Sequence, residues 1–319
     1  MDDFLVYLSD LSMPGCYVVF HKQLGDLLLL QPAIRRLAAE YGSPVRVLTR
    51  SGHASLLKLM PGVQYQAGLP LHPHSRLFAF DPLGKTAMRS LLAPAAQKVC
   101  LIPDRKEAGP WLRFVYRDIL VPGLGAEYVA EYFWRNLPLS DTSTFQPPKL
   151  ETPPDEWRHQ DMDRETPFVM INATSGWRRK SWRADGWAEV IRGLLDAGVR
   201  LVCLTSGPSD WQIEHQEKIR VLVADPRVVA YQGLPLSAYL WLCSRASMVL
   251  AVDGAGSHLA AAFGVPSVTL FGPTNRTHWH FPGPQSVAIQ ASPEKDGICR
   301  VRTIPAENVL QAALRLLPR

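Results

Sequence analysis

Four stretches of the chain hold residue types that could act on an anionic ligand. The first is AVDGAGSHLAAAFGVPSVTLFGPT, residues 251–274. Its Asp253, Gly254, Gly256 and His258 stand between a buried apolar run and a run of small residues. A glycine turn that opens a helix presents free backbone N–H groups and the positive end of the helix dipole, an arrangement most often used to hold phosphate. Asp253 and His258 beside it could hold a ribose or a phosphate; the plainer reading of His258 is a packed, hydrogen-bonded histidine. The second stretch is Thr174-Ser-Gly-Trp-Arg-Arg-Lys180-Ser-Trp182. Its hydroxyls and N–H groups could take phosphate oxygens while Lys180 neutralises charge, unless it is simply a solvated basic loop. In the third, Asp210 follows the turn Thr205-Ser-Gly-Pro208. It could accept hydrogen bonds from a ribose or cap a helix. In the fourth, Gly25-Asp26, the carboxylate could serve as a general base. As a helix cap it would satisfy backbone N–H groups instead, and the helix terminus that keeps it ionised would weaken it as a base.

The pair Gly254-Ala-Gly256 also invites a dinucleotide reading. That fingerprint needs an acidic residue at the end of the next strand. Here the next strand runs into Phe271-Gly-Pro-Thr274, so the main partner is missing. A nicotinamide-dependent dehydrogenase and a non-catalytic nucleotide-sugar binder remain the alternatives to group transfer.

These residues are carried by repeated strand–helix units. Cys16–Phe20 reads as a strand and His21–Gly25 as a turn. An apolar helix from Asp26 to Gly42 follows, with Pro32 kinking or tightening it. Pro44–Leu48 closes a β–α–β unit. Further strands are expected at 76–80 and 98–102, with helices at 51–60, 111–120 and 127–137. Residues 138–166, rich in Pro, Ser, Thr and charge, read as a linker. The alternation then resumes, with strands at 168–172, 200–204, 228–231, 247–252 and 267–271. Helices are expected at 184–197, 210–224, 236–246 and 257–263, the last ended by Gly264. A final helix, about 306–317, is long enough to pack back on the first domain. The sequence therefore predicts two doubly wound α/β domains, 1–150 and 151–319, with ligands beyond the carboxyl ends of the strands.

Composition narrows the classes. The 319 residues, 47% hydrophobic and 20% charged, suit a soluble two-domain protein. No apolar run reaches the ~20 residues that span a bilayer, and the acidic start MDDFLVYLSDL does not resemble a secretory signal. Five cysteines without CxxC spacing argue for a reducing, cytoplasmic compartment and against a metal cluster. The net charge of +5 favours anionic partners, and its lack of basic runs disfavours nucleic acid. Trp177, Trp182 and Trp279 fall in predicted cleft loops, where an indole could stack on a base or sugar.

Taken together, the motifs resemble those of family 9 glycosyltransferases, the lipopolysaccharide heptosyltransferases. Gly25-Asp26-Leu-Leu-Leu-Leu-Gln-Pro32 resembles their G-D-x5-P signature, and Lys180-Ser-Trp182 their K-x-W. Asp253-Gly-Ala-Gly-Ser-His258-Leu-Ala-Ala-Ala with Leu270-Phe-Gly-Pro-Thr274 resembles D-[ST]-G-x-x-H-x-x-A-A followed by L-[FY]-G-P-T. Asp81-Pro-Leu-Gly84 and Asp104-Arg-Lys106 look most like heptosyltransferase I. The resemblance implies a GT-B fold of two Rossmann-like domains facing across a cleft. The N-terminal domain would bind the acceptor and the C-terminal one the nucleotide sugar. It implies inverting transfer without metal or other cofactor, from ADP-heptose to a lipid-linked inner-core saccharide. The enzyme would work in the cytoplasm, in peripheral contact with the inner membrane. By position in the motifs, Asp26 would be the base, and Thr174, Lys180, Asp210, Asp253, Gly254, Gly256 and His258 would contact the donor. Lys58, Lys85 and Arg105 are candidate acceptor contacts. One departure stands out: Gly254 occupies the place of the family's Ser or Thr.

Overall fold

The computed structural model describes residues 15–69, 72–81, 84–103, 109–141, 143–162, 166–281 and 283–317. The chain divides into two compact units between Pro148 and Lys149.

The first unit is built on six parallel strands: β1 (Cys16–Val19), β2 (Val45–Leu48), β3 (Val63–Tyr65), β4 (Arg76–Ala79), β5 (Gln97–Leu101) and β6 (Asp118–Leu120). Their order is β3-β2-β1-β4-β5-β6, with Val18 paired to Val47 on one side and Phe78 on the other. The central strands read as short unbroken apolar runs because both faces of a parallel sheet are covered. The helices are α1 (Leu24–Leu29), α2 (Gln31–Tyr41), α3 (Ala54–Lys58), α4 (Gly84–Leu92) and α5 (Val129–Arg135). The single helix expected from Asp26 is in fact two. Pro32 sits in the first turn of α2, where its missing N–H costs nothing, and Leu30 forms the joint. Gly42, at φ 60°, ends α2 in the left-handed conformation that glycine adopts readily. The helix expected at 111–120 is also corrected: a 3-10 turn over Pro110–Phe114 gives way to β6.

The second unit repeats the plan with β7 (Val169–Asn172), β8 (Val202–Ser206), β9 (Val228–Gln232), β10 (Met248–Val252), β11 (Ser267–Phe271) and β12 (Ser286–Gln290). The order is β12-β11-β10-β7-β8-β9. Its helices are α6 (Ala184–Asp196), α7 (Asp210–Val223), α8 (Leu236–Arg245), α9 (Ala255–Phe263), α10 (Arg276–Trp279) and α11 (Ala306–Leu316). One core cluster joins β7, β8, β10 and β11 to α6 and α11, with Trp187, Leu194, Val309 and Ala313 fully buried. Burying a side chain the size of Leu194 or Val309 contributes about 1.5–3 kcal/mol relative to exposure. The last helix lies on α6 and β11 of its own unit. Gly193 of α6 lets it come close, since a Cβ there would clash with the Leu310 side chain. Among the described residues no helix is long and apolar enough to cross a membrane.

In each sheet the strand order reverses once, between β1 and β4 in the first unit and between β7 and β10 in the second. At such a switch point the loops diverge to opposite faces and leave a crevice at the carboxyl edge, the usual ligand position in open α/β sheets.

Candidate functional site

The switch point of the second unit gathers most of the residues singled out from sequence. Thr174 lies two residues past the end of β7 and is buried; Asp253, also buried, directly follows β10. The loop after β7 tightens into a 3-10 turn over Arg178–Lys180. This directs Lys180 across to Asp253, with Nζ donating to Oδ2 at 2.6 Å. Thr274, from the loop after β11, donates its hydroxyl to the same oxygen at 2.6 Å. Lys180 Nζ and the Arg179 guanidinium also lie over the Trp177 indole, 4.9 and 4.7 Å from its centroid. The result is a carboxylate held by one cation and one hydroxyl just before the N-terminus of α9.

That helix starts earlier than its sequence suggested, at Ala255 rather than Ser257, with Gly254 as its N-cap. Ser257 donates its hydroxyl back to Gly254 O at 2.8 Å. The two glycines prove to differ. Gly254 has extended backbone that any residue adopts, and a Cβ there would sit 3.4 Å from the Ser175 Cβ. Gly256 lies inside the helix, where a Cβ would meet Tyr239 Oη at 2.9 Å and Asn172 Oδ1 at 3.1 Å. It therefore serves the approach of α9 to β7 and α8. His258 is buried one turn along. Burial pushes its pKa down to about 4, aided by Lys180 and His280 and opposed by Asp253. The imidazole is neutral at physiological pH.

Asp210 is not among the gathered residues. It occupies the first position of α7 and is exposed. Gln212, two residues on, is buried and donates Nε2 to Thr174 Oγ1 at 3.0 Å and to Ser175 O at 3.2 Å. The sequence did carry a signal for it: Ser209-Asp-Trp-Gln212 has the S-x-x-Q spacing of a capping box, and Ser209 Oγ meets Gln212 Oε1 at 2.5 Å. Among the tryptophans, Trp177 is 54% exposed beside Lys180. Trp182 is corrected: it is a core residue, packed edge-on to Trp187 with centroids 5.0 Å apart.

In the first unit Asp26 stands half-buried in the first turn of α1, just past the carboxyl end of β1. Its Oδ2 accepts the Gln23 N–H at 3.3 Å. Asp26 is thus the third residue of the helix, capping it from inside. Around this crevice lie His21 and Thr86, to which sequence reasoning gave no role, together with Asp81 and Arg50. His21 Nδ1 is 3.1 Å from Thr86 Oγ1, which donates to Asp81 Oδ2 at 3.4 Å. Arg50 Nε donates to His21 O at 2.8 Å. His21 is buried, and its Nε2 has no hydrogen-bond partner among the described residues. Burial, then Arg89, Arg50, Lys85 and His53, push its pKa down to about 4. His21 follows β1 and Asp81 follows β4, the two strands at the switch point, the positional signal that could have found them. Lys58 ends α3 and Lys85 begins α4, both exposed. Arg105 lies outside the described residues.

Comparison with known proteins agrees with this layout. The profile of the family described as glycosyltransferase family 9 (heptosyltransferase) matches residues 109–310. Lipopolysaccharide heptosyltransferase 3 of Escherichia coli K12 is 26% identical over 241 residues, 70% of this chain and 69% of that protein. Lipopolysaccharide heptosyltransferase 1 of the same strain is 30% identical over 109 residues, 34% of this chain and 32% of that protein. The solved structure of E. coli ADP-heptose lipopolysaccharide heptosyltransferase II superposes with a TM-score of 0.77 at 18% identity, covering 95% of this chain and 98% of that one. A family 9 glycosyl transferase from Veillonella parvula gives 0.76 at 16% identity, covering 96% and 97%. The two Rossmann-like units have the GT-B fold, and the chain belongs to glycosyltransferase family 9, the heptosyltransferase family.

Proposed function

We propose that this glycosyltransferase moves a heptose from ADP-heptose to a lipid-linked saccharide of the lipopolysaccharide core, with inversion and without a metal. The observation that carries the reading is the Lys180–Asp253–Thr274 constellation at the switch point of the second unit. An E. coli heptosyltransferase has been solved with ADP, which supports an adenine nucleotide as the ligand. Breaking the anomeric C–O bond leaves negative charge on the departing diphosphate. Lys180 gives one N–H to Asp253 and can offer the others to phosphate oxygens. Arg179 and the α9 N-terminus add positive potential where that charge grows. Asp253 keeps Lys180 in one rotamer, so little reorganisation accompanies the reaction. Gln212 and Thr174 form a polar floor suited to sugar hydroxyls.

The first unit supplies the base. Asp26 takes the proton of the acceptor hydroxyl as that oxygen attacks the anomeric carbon, and attack from the face opposite the diphosphate inverts the centre. Lys58 and Lys85 would meet anionic groups of the acceptor, and the enzyme would work in peripheral contact with the cytoplasmic face of the inner membrane. Gln212, rather than Asp210, is the stronger candidate for the donor's ribose. The deciding experiment incubates the protein with ADP-heptose and a heptose- or Kdo-terminated acceptor in EDTA and follows product by mass spectrometry. Titration of ADP-, GDP- and UDP-sugars against tryptophan fluorescence fixes the nucleotide. Tight NAD(H) binding that ADP does not displace, with no transfer, would overturn the reading.

A further inference from the structure

One surface of the first unit has, apart from Lys85 at its rim, no part in the site described above. Helix α4 leaves Met88, Leu91 and Leu92 exposed at 55%, 54% and 64%. These fall at i, i+3 and i+4 and so share one face. The face opposite, Thr86, Ala87 and Ser90, is the one buried. The 3-10 turn at Pro110–Phe114 behaves alike: Leu112 is buried, while Trp111 and Phe114 are 43% and 86% exposed. Apolar groups exposed together and rimmed by polar residues are the usual mark of an interaction surface.

The two apolar ridges belong together. Helix α4 joins β4 to β5 and the turn joins β5 to β6. Successive strands step the same way across the sheet, so right-handed crossovers put both connections on one face. The Tyr116 hydroxyl donates to Ser90 Oγ at 3.0 Å and ties the end of the turn to α4.

Charge selects the occupant. Residues 84–117 hold seven Lys or Arg against two Asp or Glu, a surplus equal to the +5 of the whole chain. Lys85, Arg113 and Arg117 are exposed around the apolar ridges. Aromatic and aliphatic side chains projecting from a cationic rim match a bilayer whose surface is anionic, the apolar groups entering the acyl boundary and the cations meeting phosphates.

We propose that the face formed by Met88, Leu91, Leu92, Trp111 and Phe114, rimmed by Lys85, Arg113 and Arg117, docks the protein on an anionic phospholipid membrane. The proposal rests on the reading that the acceptor is lipid-linked, and it names the surface that would bring the first unit to it. The test uses the full chain with neither donor nor acceptor present. Vesicles of phosphatidylcholine alone and of phosphatidylcholine with phosphatidylglycerol are sedimented with the protein. Binding is expected only to the anionic vesicles and should weaken as salt rises. Phe114→Ser with Leu92→Ser should lower it at least about tenfold, and Arg113→Glu or Arg117→Glu by at least about fivefold each. Because these side chains are exposed, the variants should melt like the parent and keep their rate on a delipidated, water-soluble acceptor. Equal binding of parent and variants, or no binding to anionic vesicles, would overturn the proposal. A dimer of the parent that the Phe114 variant turns to monomer, without vesicle binding, would overturn it too and give the face to a second copy. Failure to transfer heptose to any acceptor would refute the enzymatic reading while leaving the vesicle result intact.

Discussion

Lys180 Nζ and Asp253 Oδ2 meet at 2.6 Å, their side chains 17% and 4% exposed, across 73 residues of sequence. An ion pair this deep is costly to break, because the surviving charge is left without a partner. Asp253→Ala should lower the unfolding free energy by about 2–4 kcal/mol, and Lys180→Met combined with it should restore part of that loss. Urea denaturation of the two single variants and the double variant measures the coupling. Strictly additive losses would mean that the pair does not hold the loop.

Asp26 has two tasks that one substitution separates. Asparagine can still accept the Gln23 N–H that the carboxylate accepts now, but it cannot take a proton. Asp26→Asn should keep the melting temperature and donor affinity while transfer falls about 10²–10⁴-fold. Unchanged turnover would remove Asp26 from its role as base.

The glycines of the α9 turn should respond in opposite ways. Gly254→Ser adds a Cβ at ordinary contact distance from Ser175 on extended backbone, so stability should hold within about 0.5 kcal/mol. Its new hydroxyl should tighten donor binding if the diphosphate lies there. Gly256→Ser would drive a Cβ against Tyr239 and Asn172 and should cost about 1–3 kcal/mol. Calorimetry of the two proteins, with fluorescence titration of donor, checks both; equal destabilisation would contradict this geometry.

His258 makes the second unit sensitive to acid. Its folded pKa, about 4, lies below the ordinary 6.5. The neutral ring is thus favoured by folding: its contribution is complete above pH 6.5 and is lost as pH falls toward 4. The slope approaches about 1.4 kcal/mol per pH unit for this one group. His258→Gln should flatten the pH dependence of stability across that window. Chemical denaturation at pH 7, 5.5 and 4.5 provides the measurement, and an unchanged slope would count against a neutral buried ring.

Much of the second unit was legible because its strands are unbroken apolar runs bounded by glycine or proline. Met248–Val252 and Ser267–Phe271 are buried at every position, and Gly264 with Pro266 punctuates the chain between them. What escaped were three of the outer strands, β3, β6 and β12. Val63–Tyr65 and Asp118–Leu120 are three residues long and only partly buried, so neither period nor composition separates them from loop. Helix spacing in Trp111–Leu120 misled for the same reason: its apolar residues divide between a core face and an exposed patch. At the site, an acidic residue drew attention to Asp210, whose side chain points to solvent at the helix start. Gln212, two residues on, is buried. Two positions along a helix decide between an exposed side chain and a buried one, and residue type alone does not report that choice.

The Trp182 indole N–H bonds to Ile304 O at 3.2 Å, and Leu310 of the last helix fills the space beside Gly193. The loop that carries Lys180 is therefore locked by residues more than a hundred positions downstream. Ribosome-bound chains halted before residue 300 should leave the loop open to protease, and chains in which residues 300–317 have emerged should close it; the second unit would then gain its site only once its last helix is in place.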